Sequence, residues 1–412
     1  NYITKEEIFM KNNRTMTIGA VVIIALVAIF YFTTQQKKVA EDIKVGILLG
    51  FTGPIESLTP DMASGAELAF NEASNSGELL GGSQITILRA DSTCVDSAAA
   101  TTAAEDLLSQ GMVALMGADC SGVTGAVATN VAVPNGFAMI SPSATSPGLS
   151  TLEDKGLFFR TAPSDARGGQ VLADITNDKG IKSVAITYVN SDYGLGLADV
   201  YKAALEAYGI TVTTMASHES DKADYSADVG VLSSAGGEAL AVLGYLDNAG
   251  GHLIEGSLDS GAFDTFVLSD GMIGDSLTDR FGSDLNNSFG SMPGSIGEGA
   301  QIFKSVAEAG GVNASVYVGE SYDAAALIVL AMQAGESSDK GSIAENIMSV
   351  ANAPGEKIMA GEIAKGLKLL ASGKEIDYQG ATDVTFTEVG EAEGAFIEKG
   401  ISGGKFTDVA QR

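Results

Sequence analysis

Short apolar runs alternate along this chain with segments of helical periodicity. Ile43 to Leu49 reads as a strand, and Gly53-Pro54 as a turn after it. Asp61 to Ala73 reads as a helix and Ile85 to Ala90 as a strand. The Ala-rich segment Ser97 to Gly111 reads as a helix closed by glycine. Val113 to Met116 and Ala138 to Ile140 read as two more strands, with helical Thr124 to Ala132 between them. A second series then begins. Asp165 to Lys179 is helical, Ser183 to Val189 is a strand and Gly194 to Tyr208 is helical. Strands Thr211 to Met215, Ala239 to Gly244 and Thr265 to Leu268 follow, with helices between them. Helical signals return at Ile296 to Ala309 and Ser321 to Ala334, and Gly380 to Phe406 reads as short strands and turns. Strands alternating with helices predict parallel sheets with right-handed crossovers. Two complete series predict two α/β lobes of similar build.

The ends of the predicted strands carry the candidate chemistry. Cys120-Ser121-Gly122 follows one strand and Ser141-Pro142-Ser143-Ala144-Thr145-Ser146-Pro147 the next. Ligands bind at strand ends in open parallel sheets, and free N–H groups with hydroxyls suit a carboxylate. One such turn would pass as ordinary; two in succession point to a site. In the second series, Asp270 directly follows the apolar strand ending at Leu268. It reads either as a helix cap or as the partner of a ligand cation. Tyr193 and Tyr245 also follow strands there, either as core packing or as cover for a ligand's apolar part. Together these residues suit a small zwitterion, its carboxylate on the first lobe and its ammonium on the second.

Composition narrows the classes. At 412 residues the chain can hold two domains with full cores, and 51 glycines fit many tight connections. A net charge of -28 excludes nucleic acid as a partner, because no basic cluster could follow phosphates. His218 and His252 are far apart, and no metal-ligand spacing accompanies Cys94 and Cys120, so neither metal nor cofactor is expected. Gly274-Asp275-Ser276-Leu277 spells a serine-hydrolase tetrapeptide, but neither histidine has the aspartate three residues earlier that this class needs. No phosphate loop or full dinucleotide motif occurs, and an enzyme is not expected.

The N-terminal segment sets the compartment. Lys11 and Arg14 precede the apolar run Ile18 to Phe32. The run reads as an export signal or a membrane anchor, and the lack of a good small-residue cleavage site favours the anchor. Either way, residues 41–412 would lie outside the cytoplasmic membrane, and no later run is long and apolar enough to cross it. Cys94 and Cys120 would pair in an oxidising compartment and stay as buried thiols in a reducing one. A disulfide there would stabilise by roughly 3–4 kcal/mol in the chain-entropy model.

Several segments in order resemble the periplasmic branched-chain amino-acid-binding proteins, the type I substrate-binding components of ABC importers. They are KVGILLGFTGPIESL at 44–58, Cys94 with Cys120, ISPSATSP at 140–147 and FFRTAPSD at 158–165. NSDYGLGLAD at 190–199, LSDGM at 268–272 and ESYDAAALIVLAM at 320–332 complete the set. The resemblance implies two Rossmann-like lobes with parallel central sheets, joined by a three-strand hinge. It places residues 1–42 in an N-terminal signal or anchor and linker, 43–161 plus 294–376 in lobe one, and 162–293 plus 377–412 in lobe two. It implies a Cys94–Cys120 disulfide. It puts Ser121, Ser143 and Thr145 on the ligand carboxylate, Tyr193 and Tyr245 on the second-lobe wall, and Asp270 on the ammonium. Leu58 matches a side-chain-pocket position that is often aromatic in that family.

The expected function is therefore solute capture by hinge closure, for a small amino acid of branched-chain type, in a monomer that delivers to ABC permease subunits. Its expected place is the periplasmic or outer face of the cytoplasmic membrane, anchored through the N-terminal segment or secreted. A binder of amides, urea or similar neutral solutes, and the ectodomain of a sensory complex, are the alternatives.

Overall fold

The computed structural model describes residues 40–412. The anchor or signal segment, with most of the linker after it, lies outside the described residues. Among those described, no helix is long and apolar enough to cross a membrane. Residues 41–412 form one unit.

The first half builds a five-stranded parallel sheet in the order β2-β1-β3-β4-β5. Its elements are β1 (Asp42–Leu49), α1 (Thr59–Ser76), β2 (Gln84–Asp91), α2 (Ser97–Ser109), β3 (Ala114–Gly117), α3 (Ser121–Val127), β4 (Met139–Ser141) and β5 (Phe158–Arg160). A π-helical turn, Ala128–Ala132, continues α3. Strand β1 is central and reads as an almost unbroken apolar run, because helices cover both of its faces. Edge strand β2 is half-exposed along its length and keeps Gln84, Thr86 and Arg89. At the end of β3, Gly117 has φ +120, and an added Cβ would lie 2.1 Å from the Leu48 carbonyl oxygen. Only glycine lets the chain turn there into the loop of Asp119 and Ser121.

The second half adds α4 (Asp165–Asp178), β6 (Ser183–Val189), α5 (Asp192–Ala207), β7 (Thr211–His218), α6 (Ser226–Ala235), β8 (Ala239–Leu243), α7 (Gly251–Ser260), β9 (Phe266–Leu268), α8 (Asp275–Phe281) and β10 (Phe289–Pro293). The chain then runs through α9 (Glu298–Ala309), α10 (Val318–Ala334), α11 (Lys340–Ala351), β11 (Glu356–Met359), α12 (Ile363–Ala371), β12 (Ile376–Gly380), β13 (Phe396–Ser402) and β14 (Lys405–Gln411). Helix α10 is buried almost all round. It packs on α1, on α11 and α12, and on β3 and β4, so it belongs with the first sheet.

The second sheet has the order β14-β13-β10-β9-β8-β6-β7. Its parallel part, β6 to β10, follows the expectation, but β13 pairs antiparallel with β10 and with β14. A tight turn at Gly403-Gly404 joins the last two strands, and only an antiparallel pair accepts so short a connection. Strands β11 and β12 form a separate parallel pair. The chain passes between the two sheet systems after Arg160, after Pro293 and after Gly380.

Candidate functional site

Loops from the carboxyl ends of both sheets meet at one small cavity of about 30 Å³. Leu58, Ser121, Ser143, Tyr193, Tyr245 and Asp270, all singled out in the sequence, line it. Ile55, Met62, Asp119, Cys120, Gly271 and Tyr317 complete the lining. Thr145 does not reach it. Its side chain is fully buried, and its hydroxyl has no hydrogen-bond partner among the described residues.

The first-sheet wall is a knot of loops around Asp119. This carboxylate accepts the Gly50 N–H, the Ser92 hydroxyl at 2.8 Å and the Cys120 N–H at 2.9 Å, tying together the ends of β1, β2 and β3. Burial pushes the Asp119 carboxyl above its ordinary range, and these donors work against that push. The disulfide between Cys94 and Cys120 closes the same knot. Ser121 starts α3 and its Oγ accepts the Ser146 N–H at 3.0 Å. Ser143 donates its hydroxyl to the Asp119 carbonyl at 3.1 Å. The loop carrying Ser143 to Ser150 is pinned from beneath by Arg160, which is 1% exposed. Its guanidinium donates to the Ala144 and Ser146 carbonyls at 3.0 Å each, to Ser150 Oγ and to Glu391. Arg160 is thereby neutralised and presents no free cation to the cavity.

The second-sheet wall is aromatic and acidic. Tyr193 and Tyr245 stack with ring centroids 5.2 Å apart. Asp270 follows β9, and its two oxygens accept the hydroxyls of Tyr193 and Tyr317. Tyr193 Oη in turn accepts the Gly271 N–H at 3.3 Å. Asp270 therefore does not cap a helix. Burial raises its carboxyl above the usual range, opposed by the two phenols. Burial first, and the Asp270 charge second, raise both phenols well above their ordinary value. Asp165, at the start of α4, is buried behind this wall, with Oδ2 unpartnered among the described residues. Burial, then the nearby Asp270 charge, raises its carboxyl well above the usual range.

At about 30 Å³ the cavity admits roughly two water molecules. An amino acid would need more room than this form gives. Leu58 and Tyr317 also line a neighbouring groove of about 840 Å³ between the two sheet systems. They are the shared partition between cavity and groove.

Three residues here escaped the sequence reading. Asp165 ends the segment quoted at 158–165, and Asp119 directly precedes Cys120. Asp119 carries the same signal as Asp270, an acid just past an apolar strand. Tyr317 gave no local signal: it arrives from the far side of the second crossing, on the residue before α10, at φ 63. Of the motif at 274–277, Ser276 donates its hydroxyl to Asp247, not to a histidine. Among the described residues, no cluster of His, Cys, Asp and Glu could hold a metal ion.

The profile of the periplasmic binding protein family matches residues 42–366. A Leu/Ile/Val-binding protein homolog 3 of Brucella melitensis is 31% identical over 230 residues, which is 55% of this chain and 60% of that protein. Homolog 1 of the same organism is 29% identical over 311 residues, 74% of this chain and 81% of that protein. Among solved structures, the branched-chain amino acid transporter substrate-binding protein LivJ of Streptococcus pneumoniae, in complex with isoleucine, superposes with a TM-score of 0.74 at 21% identity. That match covers 90% of this chain and 99% of the other. A solute-binding protein from R. palustris, in complex with benzoate, superposes with a TM-score of 0.72 at 16% identity, covering 90% and 96%. At these identities the two structural matches speak for the fold.

Proposed function

The chain belongs to the periplasmic binding protein family, on its type I, branched-chain amino-acid side, and from that membership we propose that it captures an α-amino acid between its two sheet systems. The family is one of extracytoplasmic solute-binding components of ABC transporters, not of enzymes. The proposed ligand has an apolar side chain of branched-chain type. The observation that carries this reading is Asp270: a buried carboxylate at a strand end, lining the cavity and reached by phenols from both sides.

In the proposed complex, Asp270 pairs with the ammonium, Ser121 and Ser143 take the carboxylate, and Tyr193 and Tyr245 cover the α-carbon. Ile55, Leu58 and Met62 face the side chain. Thr145 acts at one remove, through the loop it shares with Ser143. The lobes of this reading are residues 43–161 with 294–376, and 162–293 with 377–412, hinged where the chain crosses. Ligand stabilises the closed form because it touches both walls, and the permease subunits of an importer would recognise that form. The wall chemistry also argues against a plain aromatic acid such as benzoate. Asp119 and Asp270 line the cavity, Asp165 is buried behind its wall, and Arg160 is already paired. An anion without an ammonium would meet repulsion there.

One observation favours a second reading, a neutral amide or urea. Both Asp270 oxygens already hold phenolic donors, so no ammonium is needed to satisfy them. Thermal melting of the purified chain separates the readings. Leucine, isoleucine or valine should raise the melting temperature, since a ligand that binds only the folded form stabilises it by mass action. A rise with acetamide or urea, and none with the amino acids, would replace the first reading by the second. A rise with benzoate alone would sink both.

A further inference from the structure

Bonds run across the cleft from one sheet system to the other, and two of them meet at Asp247. This residue follows β8 of the second sheet, in the turn Leu246–Gly250, whose Asn248 leaves the helical region at φ -133, ψ -106. Asp247 Oδ2 accepts the Ser57 N–H at 2.8 Å. Oδ1 accepts the Ser276 hydroxyl at 3.0 Å. Its own N–H donates to the Pro54 carbonyl at 3.2 Å. Ser57 Oγ lies 3.5 Å from Ser276 Oγ. Pro54 and Ser57 stand in the loop after β1, while Ser276 is in α8, after β9 of the second sheet. Between and beside the two bonded loop residues are Ile55 and Leu58, the apolar wall of the cavity. At Gly274 the two sides come so close that an added Cβ would lie 3.1 Å from Leu58 Cδ2.

We propose that Asp247 is a positioning residue for ligand retention: it clasps the 54–58 loop across the cleft, seats Ile55 and Leu58 against the ligand, and is itself oriented by Ser276. The inference rests on the closure reading above, but not on the identity of the ligand. Ser57 and Ser276 are exposed and Asp247 is half-exposed, so these bonds hold little of the fold. What they hold is the relation of the two sides. Carboxylate acceptors make stronger bonds than neutral ones, and here one carboxylate serves both sides at once. This also gives Ser276 a role that needs no histidine.

Hydrogen–deuterium exchange on the ligand-free full-length chain tests the clasp. Asp247→Ala should speed uptake in segments 54–58 and 246–250 and leave β1 and β8 unchanged, with the melting temperature close to wild type. Tyrosine fluorescence gives the second readout, since the chain has no Trp. With leucine as the probe, release from Asp247→Ala should be about tenfold faster, as expected from losing one or two such bonds, with association little changed. Ser276→Ala should give part of that effect and add nothing to Asp247→Ala. Unchanged uptake and unchanged release in Asp247→Ala would overturn the proposal. A wild-type chain that ignores leucine would overturn the ligand reading instead, and the exchange data would still decide the clasp.

Discussion

Asp270 was legible because a carboxylate directly after a short apolar strand has few structural uses. The structure removes the competing one, since its oxygens accept phenols and cap nothing. Tyr317 was illegible because its position depends on the chain returning to the first sheet after a long excursion. No local pattern reports that return. Thr145 shows the reverse: its residue type suited the site, but its side chain is buried in the loop that Arg160 pins and is not part of the cavity lining. The consequence for Asp270 is measurable. Asp270→Asn keeps the shape and the acceptor oxygen but removes the charge. In the amino-acid reading, leucine binding should weaken by about 2–5 kcal/mol, the range seen when a buried charge pair loses one partner. An amide should lose far less. Calorimetric titration of both ligands against both proteins checks this, and equal small losses would deny an ammonium at Asp270.

Most elements of the first half were legible to within a few residues, because interior parallel strands are continuous apolar runs and the first helix ends at a glycine; the short strand β5 was not read. The final hairpin and α11 to α12 were less so. Strand β14 is an exposed edge, and its neighbour β13 carries Glu398 and Lys399 among apolar residues, so neither shows a clear period-two signal. The parallel pair β11-β12 is too short to announce itself. The resemblance, not the spacing, selected the disulfide over two thiols, and Cys94–Cys120 is formed. Its place gives it a local duty as well as a global one. It ties the loop after β2 to the first residues of α3, where Ser121 faces the cavity. The double variant Cys94→Ala with Cys120→Ala should lose roughly 3–4 kcal/mol of stability by the chain-entropy account. It should also bind ligand more weakly than that loss explains, because Asp119 and Ser121 lose a tether. Urea unfolding beside a ligand titration separates the two effects. A stable variant with normal affinity would make the bond dispensable.

For the whole molecule, the deciding place is the hinge, where the sequence offered only crossing points. Segments of the second and third crossings line the 840 Å³ groove together with Glu320 of α10. Thr161, on the first crossing, donates its hydroxyl to the Glu320 carbonyl at 2.9 Å. The Glu320 side chain is 4% exposed, and no cation pairs with it among the described residues. Burial pushes its carboxyl up to about 8 from an ordinary 4.5. The folded chain therefore keeps a proton that the unfolded chain has lost between about pH 4.5 and pH 8. The stability this contributes is complete below that window and disappears as pH rises through it. Asp323, raised to about 6 by burial, acts in the same sense but is finished by then. His218, lowered to about 4 by burial, acts in the opposite sense between its ordinary 6.5 and 4. From pH 6.5 to pH 8, Glu320 is the one of these three that still titrates. Wild-type melting temperature should fall over that interval. Glu320→Gln keeps the neutral shape without a charge to suppress, so its melting temperature should fall less and exceed wild type at pH 8. Equal slopes for the two proteins would mean that Glu320 is ionised in the fold, and that the hinge carries a charge whose partner must then be found on one of the crossings.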